Sequence, residues 1–142
     1  MEIEHALAGL RATHQSVLTT LKRDGRPQLS NVLHDLGEDG LVRISTTADR
    51  AKYHNLVRTP WAALHVNGGT FWSYAVVEGD VELSPIAADP HDAVTEELVD
   101  LYRAMVGEHE DWDDYRRSMV TDRRLVVRLT PTHAYGTLKP PA

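Results

Sequence analysis

Residues 16–36, SVLTTLKRDGRPQLSNVLHDL, decide the fold that the sequence predicts. Residues 17–21 favour a β-strand, and the Asp-Gly pair at 24–25 is typical of a tight turn because glycine readily adopts a positive φ. A second extended run follows over about 28–36, and the glycines at 37 and 40 indicate another turn. The segment therefore predicts an antiparallel hairpin, from which the rest of a sheet extends.

The remaining chain supplies further short strands and peripheral helices. Helical spacing or helix-start signals predict helices over 3–13, 49–58, from 89 to about 105, and 111–119. Extended segments are predicted over 41–46, 61–67, 71–83 and 124–138, with a bulge or bend at Gly79 and a break at Pro131. These elements predict one α+β domain, mainly β, over residues 1–142: a small β-barrel with peripheral helices.

The charge distribution argues for a small anionic ligand rather than a nucleic acid. Fifteen Lys and Arg against twenty-one Asp and Glu give a formal net charge of −6, whereas nucleic-acid binding needs a broad cationic face. Residues 43–58 nevertheless carry Arg43, Arg50, Lys52 and Arg58 against a single acid. A local cationic patch in an acidic protein suits a small anion.

Several classes of site and location are disfavoured by composition. The chain has no cysteine, so disulfides and thiolate sites are excluded, and its eight histidines show no metal-binding spacing. No apolar run reaches the ~20 residues that span a bilayer, and the first ten residues do not resemble a signal peptide. We therefore expect no metal site, no membrane contact and a cytoplasmic location. His65, within an apolar strand, is expected to be buried and hydrogen-bonded.

The first candidate site is residues 45–60, STTADRAKYHNLVRTP. Its hydroxyl groups and cations precede a helix start, where free backbone N–H groups favour anions; the side chains concerned are Ser45, Thr46, Thr47, Arg50 and Lys52. The alternative is that Thr47 or Asp49 merely caps the helix while the cations are solvated, which is the commoner arrangement. Residue chemistry alone leaves both interpretations open.

The second candidate is the strand of the hairpin that follows the turn. Strand alternation places Gln28, Ser30 and Val32 on one face and Asn31 on the other. Such polar groups could hydrogen-bond the edge of a flat heterocycle, or they could mark an edge strand with one solvated face.

Two aromatic residues form a third candidate. Trp72 and Tyr74 fall at strand spacing, so they are expected to point the same way and could stack on a ring. Packing in a core or an interface is the alternative, and for aromatic residues it is the commoner outcome.

Four blocks in this order resemble the pyridoxamine 5'-phosphate oxidase-like split β-barrel superfamily. They are TLKRDGRPQLSNV, ISTTADRAKYHNLVRTP, WSYAVVEGDVEL and LYRAMVGEHEDWDDYRRSMVTDRRLVVRLTPTHAYG, and the resemblance extends over about 16–136. The sequence is most similar to the flavin/deazaflavin oxidoreductase B branch, the F420-dependent enzymes of actinobacteria. It lacks a counterpart of the C-terminal substrate-binding segment found in the vitamin-forming oxidases.

This resemblance implies an FMN-binding split barrel that forms a homodimer, with cofactor sites at the subunit interface. By the same resemblance, one strand lines the flavin-like ring through Gln28, Ser30, Asn31 and Val32. The phosphate of the cofactor would be held by Arg50 and Lys52, with help from Ser45, Thr46, Thr47 and Asn55. Trp72 and Tyr74 would approach the site.

The resemblance further implies coenzyme F420 as the cofactor, with FMN as the alternative. F420 would exchange a hydride with a small conjugated or heteroaromatic molecule, and its tail carboxylates could meet Arg58 or Arg43. An FMN-dependent oxidase or reductase, or a non-catalytic F420-binding protein, are the other hypotheses. No catalytic proton donor can be assigned, although Tyr74 or a water could serve.

Overall fold

The computed structural model describes residues 1–138, so the last four residues of the predicted domain 1–142 lie outside the described part. The helices within this range are α1 Ile3–Ala12, α2 Ala51–Arg58, α3 Ala93–Met105 and α4 Trp112–Thr121. The strands are β1 Gln15–Leu21, β2 Pro27–Leu33, β3 Asp35–Leu36, β4 Val42–Thr47, β5 Trp61–Asn67, β6 Tyr74–Leu83 and β7 Arg124–Gly136. No helix within residues 1–138 combines the length and the apolar character needed to cross a bilayer.

The strands form one curled antiparallel sheet in the order β2-β1-β5-β6-β7-β4-β3. The predicted hairpin is confirmed: β1 and β2 pair from Gln15 opposite Leu33 to Leu21 opposite Pro27. Gly25 has a φ of 86° in the connecting turn, a conformation that suits glycine. The sheet and its peripheral helices confirm the predicted α+β, mainly β, split-barrel class.

Some predicted element bounds are wrong. The extended run over 28–36 is divided by His34 into β2 and β3, and α2 begins at Ala51 rather than at Asp49. Trp72 lies in a turn before β6, so it does not alternate with Tyr74 along that strand. The prediction that these two aromatic side chains point the same way along one strand is therefore wrong.

The predicted break at Pro131 is also wrong, because β7 continues through it. Pro131 lies opposite Gly79, and a register shift there leaves Thr132 as an extra residue in β7. β4 pairs with β7 only as far as Leu129, so the absent N–H of Pro131 interrupts no β4 ladder bond. The predicted irregularity at Gly79 is confirmed as a bulge.

The core lies between the inner face of the sheet and α1. Leu18, Leu64, Val77 and Leu129 from four strands pack there with Leu10 of α1, and each of them is fully buried or nearly so. Burial of such apolar area, at about 25 cal/mol per Å², is the main favourable contribution to folding.

Helices α3 and α4 cover one part of the outer face. Val126 of β7 packs outward against Val94 and Leu98 of α3 and Met119 of α4. Glu97 of α3 joins the helix to the sheet through ion pairs with Arg43 and Arg128. The outer face of β2, β1, β5 and β6 has no helix of the described chain packed across it.

Glu97 binds two arginines of neighbouring strands. Its carboxylate accepts hydrogen bonds from Arg43 Nε at 2.8 Å and from Arg128 Nε and Nη2 at 2.9 and 2.5 Å. Arg43 also binds Asp39, and that contact lowers the pKa of Asp39 to about 2. Arg43 is therefore fully engaged within the protein.

His34 is buried where β2 ends and connects three elements. Its Nδ1 accepts a hydrogen bond from Ser16 Oγ of β1 at 2.7 Å, and its Nε2 donates to the Leu10 carbonyl of α1 at 2.9 Å. Burial lowers the pKa of His34, and the nearby His14 lowers it further. A neutral imidazole is the form that fits these two hydrogen bonds.

The burial of His34 predicts loss of stability in mild acid. As the pH falls below about 6.5, the unfolded chain takes up this proton before the folded protein does. The free energy of unfolding then falls by at most about 1.4 kcal/mol per pH unit for this group. Urea denaturation between pH 7.5 and 5.5 should show a smaller decrease for His34→Gln than for the wild type. His133→Gln, at an exposed position, should retain the wild-type dependence, and equal pH dependence in all three proteins would contradict this account.

Candidate cofactor site

The start of α2 is open, not capped by a side chain. Arg50 occupies the N-cap position and its side chain makes no capping hydrogen bond. Tyr53 N–H donates to the Arg50 carbonyl at 3.1 Å, so the N–H groups of Ala51 and Lys52 are the ones that remain available. The hydroxyl of Thr47 donates to the carboxylate of Asp49 instead. The alternative in which Thr47 or Asp49 caps the helix is therefore wrong, and the contact with Thr47 lowers the pKa of Asp49.

Three cations gather beside this helix start. Lys52 is partly buried, and its pKa is lowered first by burial and then by the charges of Arg50 and Arg124. None of the three forms an ion pair with a carboxylate in the part of the chain that the structure describes. We call Arg50, Lys52 and Arg124, with Ser45 and Thr47, the cationic cluster. Close like charges without a counter-ion favour the binding of an anion.

Arg124 is a member of the cluster that sequence reasoning missed. It begins β7 opposite Thr47, and its Nη1 donates to Ser45 Oγ at 3.2 Å. Its Nε atom is buried without a hydrogen-bond partner among the described residues, and a buried donor left unpaired is costly. The sequence shows two adjacent arginines, Arg123 and Arg124, at the start of the last predicted strand. It does not show that this strand pairs with β4, which is what brings Arg124 to the cluster.

Arg123 next to it has a strained backbone. Its φ is 54°, a value that non-glycine residues rarely adopt, and its carbonyl accepts a hydrogen bond from Ala48 N–H at 3.1 Å. Strained residues of this kind are concentrated at functional sites. A cavity of about 430 Å³ opens here, lined by Thr47, Asp49, Arg50, Thr121, Asp122, Arg123 and Arg124.

Two other predicted phosphate contacts lie away from the cluster. Thr46 is buried on the inner face of β4, whereas Ser45 and Thr47 face outward. Asn55 is buried at the barrel end, where its Nδ2 donates to Thr20 Oγ1 and to Gln28 Oε1 at 3.1 and 2.7 Å. The structure thus joins Asn55 to Gln28.

The arginines suggested for a cofactor tail are engaged elsewhere. Arg43 is held by Asp39 and Glu97. Arg58 Nη2 donates to Asn55 Oδ1 at 2.9 Å and to the Leu21 carbonyl at 3.3 Å. Neither guanidinium belongs to the cationic cluster.

A larger cavity, of about 920 Å³, lies on the outer side of the sheet near the ends of β2 and β5. We call it the outer cavity, and it is lined by Ala12, Thr13, Gln15, Ser16, Val17, Asn31, Val32, Leu33, His65, Asn67, Gly68 and Gly69. Of the predicted ring-binding residues, Asn31 and Val32 therefore line it. Gln28 and Ser30 lie outside its lining, half-buried on the inner side of β2.

The two predicted aromatic residues have different surroundings. Tyr74 is half-buried and stacks on His65, with ring centroids 5.4 Å apart and an interplanar angle of 13°. Trp72 is 79% exposed in the turn, edge-on to Phe71. Tyr74 therefore lies beside the outer cavity, while Trp72 projects beyond the sheet.

Strand β2 runs from the contact with Asn55 to the outer cavity. Gln28, near its start, contacts Asn55 of α2, and Asn31 lines the outer cavity three residues later. At about 3.3 Å per residue, these two positions are roughly 10 Å apart. No cluster of metal-ligating side chains is found within residues 1–138.

Comparison with known proteins gives a family for this chain. The family model described as pyridoxamine 5'-phosphate oxidase matches residues 3–138, which is almost the whole sequence. Solved structures agree with this match in fold.

Three of these structures illustrate the agreement. A structure described as an F420 reductase is 25% identical, with 90% of this chain and 94% of that chain covered and a TM-score of 0.63. A conserved hypothetical protein from Mycobacterium tuberculosis is 19% identical over 94% and 82% of the two chains, with a TM-score of 0.70. A pyridoxamine 5'-phosphate oxidase-related, FMN binding protein from Nostoc punctiforme is 17% identical over 93% and 80%, with a TM-score of 0.63.

The cationic cluster predicts that a simple anion stabilises the protein. Inorganic phosphate at 10 mM should raise the Tm of the wild type, measured at constant ionic strength, because an anion relieves the repulsion among these cations. The double variant Arg50→Ala/Lys52→Ala should lose this increase.

Exposed cations of the β1–β2 turn provide the control. Lys22→Ala/Arg23→Ala removes the same charge from exposed positions, and its response to phosphate should equal that of the wild type. An equal loss in both double variants would show a nonspecific charge effect.

Proposed function

The chain belongs to the pyridoxamine 5'-phosphate oxidase family, and on that basis we propose that it is an oxidoreductase that binds coenzyme F420. It transfers a hydride between this deazaflavin and a small conjugated or heteroaromatic molecule. The observation that carries the proposal is the cationic cluster: Arg50, Lys52 and Arg124 form no ion pair within residues 1–138. They outnumber the two acids, Asp49 and Asp122, that line the cavity beside them. The cluster fits the phosphate that F420 carries.

The residues around the cluster fit a phosphate in three ways. Arg50 and Lys52 provide charge, the open start of α2 offers N–H groups, and Ser45 and Thr47 place hydroxyl groups on the outward face of β4. The unpaired Nε of Arg124 supplies a further donor. The outer cavity, lined in part by Asn31 of β2, is of a size suited to a ring.

F420 is favoured over FMN by two observations. The F420 reductase is similar to this chain at 25% identity. In addition, Arg123 is exposed in the same cavity as the cluster, where it could meet a carboxylate of the F420 tail. FMN remains the second candidate because a structural relative is described as FMN binding. A non-catalytic F420-binding protein would use the same contacts, since a fold does not determine its chemistry.

In the proposed reaction the cofactor, when bound, supplies the hydride chemistry. The protein contributes binding and orientation. Arg50 and Lys52 fix the phosphate. Asn31 would offer its amide to the edge of the ring, whereas the Val32 side chain packs on the core side of β2 and supports the strand. Because the cofactor supplies the chemistry, the protein needs no nucleophile–base motif, and its sequence contains none.

Fluorescence titration tests this proposal. We expect F420 to bind more tightly than FMN, because only F420 carries tail carboxylates in addition to its phosphate. Arg50→Ala/Lys52→Ala should weaken F420 binding by two charge-assisted contacts of about 1.5–3 kcal/mol each, or roughly a hundredfold or more. Lys22→Ala/Arg23→Ala should bind as the wild type does. Tighter binding of FMN would reject F420 as the cofactor, and unchanged affinity of the cluster variant would reject this phosphate site.

We further propose that the protein is a homodimer formed through the uncovered outer face of the sheet. Leu29 and Leu33 of β2 are 61% and 48% exposed, and Tyr135, Phe71 and Trp72 are exposed at the other end of the same face. Such exposed apolar groups mark interaction surfaces. The partner is a second copy, because the outer cavity opens on this face and the resemblance implies a homodimer with its cofactor sites at the subunit interface.

Light scattering with size-exclusion chromatography tests the dimer. Leu29→Lys/Leu33→Lys should shift the wild-type dimer to a monomer, because two charges cannot be buried there without partners. Val57→Lys is the matched control, since Val57 is 60% exposed on α2, away from this face. A monomeric wild type would overturn the proposal, as would a dimer that tolerates both lysines.

A further inference from the structure

His65 does not occupy the environment expected for it. The sequence predicted a buried, hydrogen-bonded histidine, but the side chain is only partly buried and lines the outer cavity. Alternation explains the difference. Leu64 and Val66 face the core, so the residue between them faces outward.

The ring of His65 is held by stacking and not by hydrogen bonds. Tyr74 lies parallel to it, with a centroid distance of 5.4 Å. Neither ring nitrogen of His65 has a hydrogen-bond partner within residues 1–138, and the Tyr74 hydroxyl has none there either. His65 therefore presents unused polar groups at the outer cavity.

The cavity places this imidazole beside polar groups that could bind a ring. Val17 pairs with His65 on one side and with Asn31 on the other, so these two side chains lie two strands apart on the same face. Two inter-strand spacings are about 10 Å, so a flat molecule could lie over the Val17 side chain between them. Asn67, also in the lining, lies on the same face of β5 as His65.

The proposed reaction needs a proton as well as a hydride. When a hydride adds to a carbon–carbon double bond conjugated to a carbonyl, the two electrons of that bond move toward the oxygen and form an enolate. A proton must then be added to complete the reduction. Imidazole is the side-chain group best suited to proton exchange near neutral pH.

We propose that His65 is the residue that exchanges this proton, and that Tyr74 positions it. This inference rests on the proposed function. The substrate carbon gains the hydride from the reduced deazaflavin, which is thereby oxidised by two electrons. The enolate takes a proton from an imidazolium nitrogen of His65, leaving neutral imidazole, which takes up a proton from water before the next turnover. The substrate class is a small molecule whose reducible double bond is polarised by a neighbouring carbonyl.

Histidine NMR tests the location of His65 without a need for turnover. The ring 15N signals that disappear in His65→Gln identify this residue, and saturating F420 should shift them in the wild type. His91, exposed near the start of α3 and on another part of the surface, should keep its signals. An unchanged His65 signal with F420 bound would overturn the inference.

Single-turnover kinetics test the proton transfer. Reduced F420 and 2-cyclohexen-1-one serve as probes, and a general acid typically contributes 10²–10⁴-fold. His65→Gln should therefore slow reduction at least a hundredfold, and it should abolish the decline in rate at high pH while changing the Kd for F420 less than threefold. Tyr74→Phe, which keeps the stacking, should retain most of the rate, and His91→Gln should match the wild type.

The outcomes separate this inference from the proposed function. Absence of F420 binding by the wild type would reject both. Binding without reduction of the enone, or a His65→Gln variant with wild-type rate and pH profile, would reject the role of His65 and leave cofactor binding intact.

Discussion

The architecture depends on the pairing of β7 with two strands at once. It pairs with β6 over most of its length and with β4 over its first half, so the hydrogen bonds of this one strand join the two ends of the sheet. The same pairing puts Arg124 opposite Thr47 and within hydrogen-bond distance of Ser45. A backbone ladder thus brings together cations that are more than seventy residues apart in sequence.

Local features of the fold were predictable from the sequence. The hairpin around Gly25 and the bulge at Gly79 follow from turn chemistry and glycine geometry, and both are present. The cations Arg50 and Lys52 could also be predicted, because they lie two residues apart in the sequence. Long-range pairing was not: nothing local signals that Arg124 lies beside Ser45, or that Asn55 closes onto Gln28. His65 was misread because an apolar strand was taken to be buried on both faces, whereas only one face of β5 contacts the core.

Charged groups and exposed apolar side chains occupy different parts of the outer face of the sheet. Over β4 and β7 it is covered by α3 and α4, and Glu97 neutralises the two arginines beneath it. The cationic cluster at the edge of this region has no such partner, although the chain as a whole is acidic. Asp49 and Asp122 line the cavity beside the cluster, but neither forms an ion pair with its cations in the described residues. Over β2 and β1 the face is uncovered and apolar, which is where the outer cavity opens.

The bulge opposite Gly79 also determines how this protein can vary in length. A Cβ at Gly79 would lie 2.0 Å from the Thr130 carbonyl oxygen, so β6 and β7 cannot approach this closely with any other residue there. Thr132, the extra residue, changes which side chains of β7 face inward, so that Leu129 and Ala134 both reach the core and Tyr135 faces out. Regular alternation of the same residues, without the bulge, would reverse the positions beyond it and bury the phenol of Tyr135 in place of the methyl group of Ala134. Loss of one residue from this part of β7 is therefore compatible with the core only if it removes the bulge itself, whereas insertions belong in the exposed turn around Gly25.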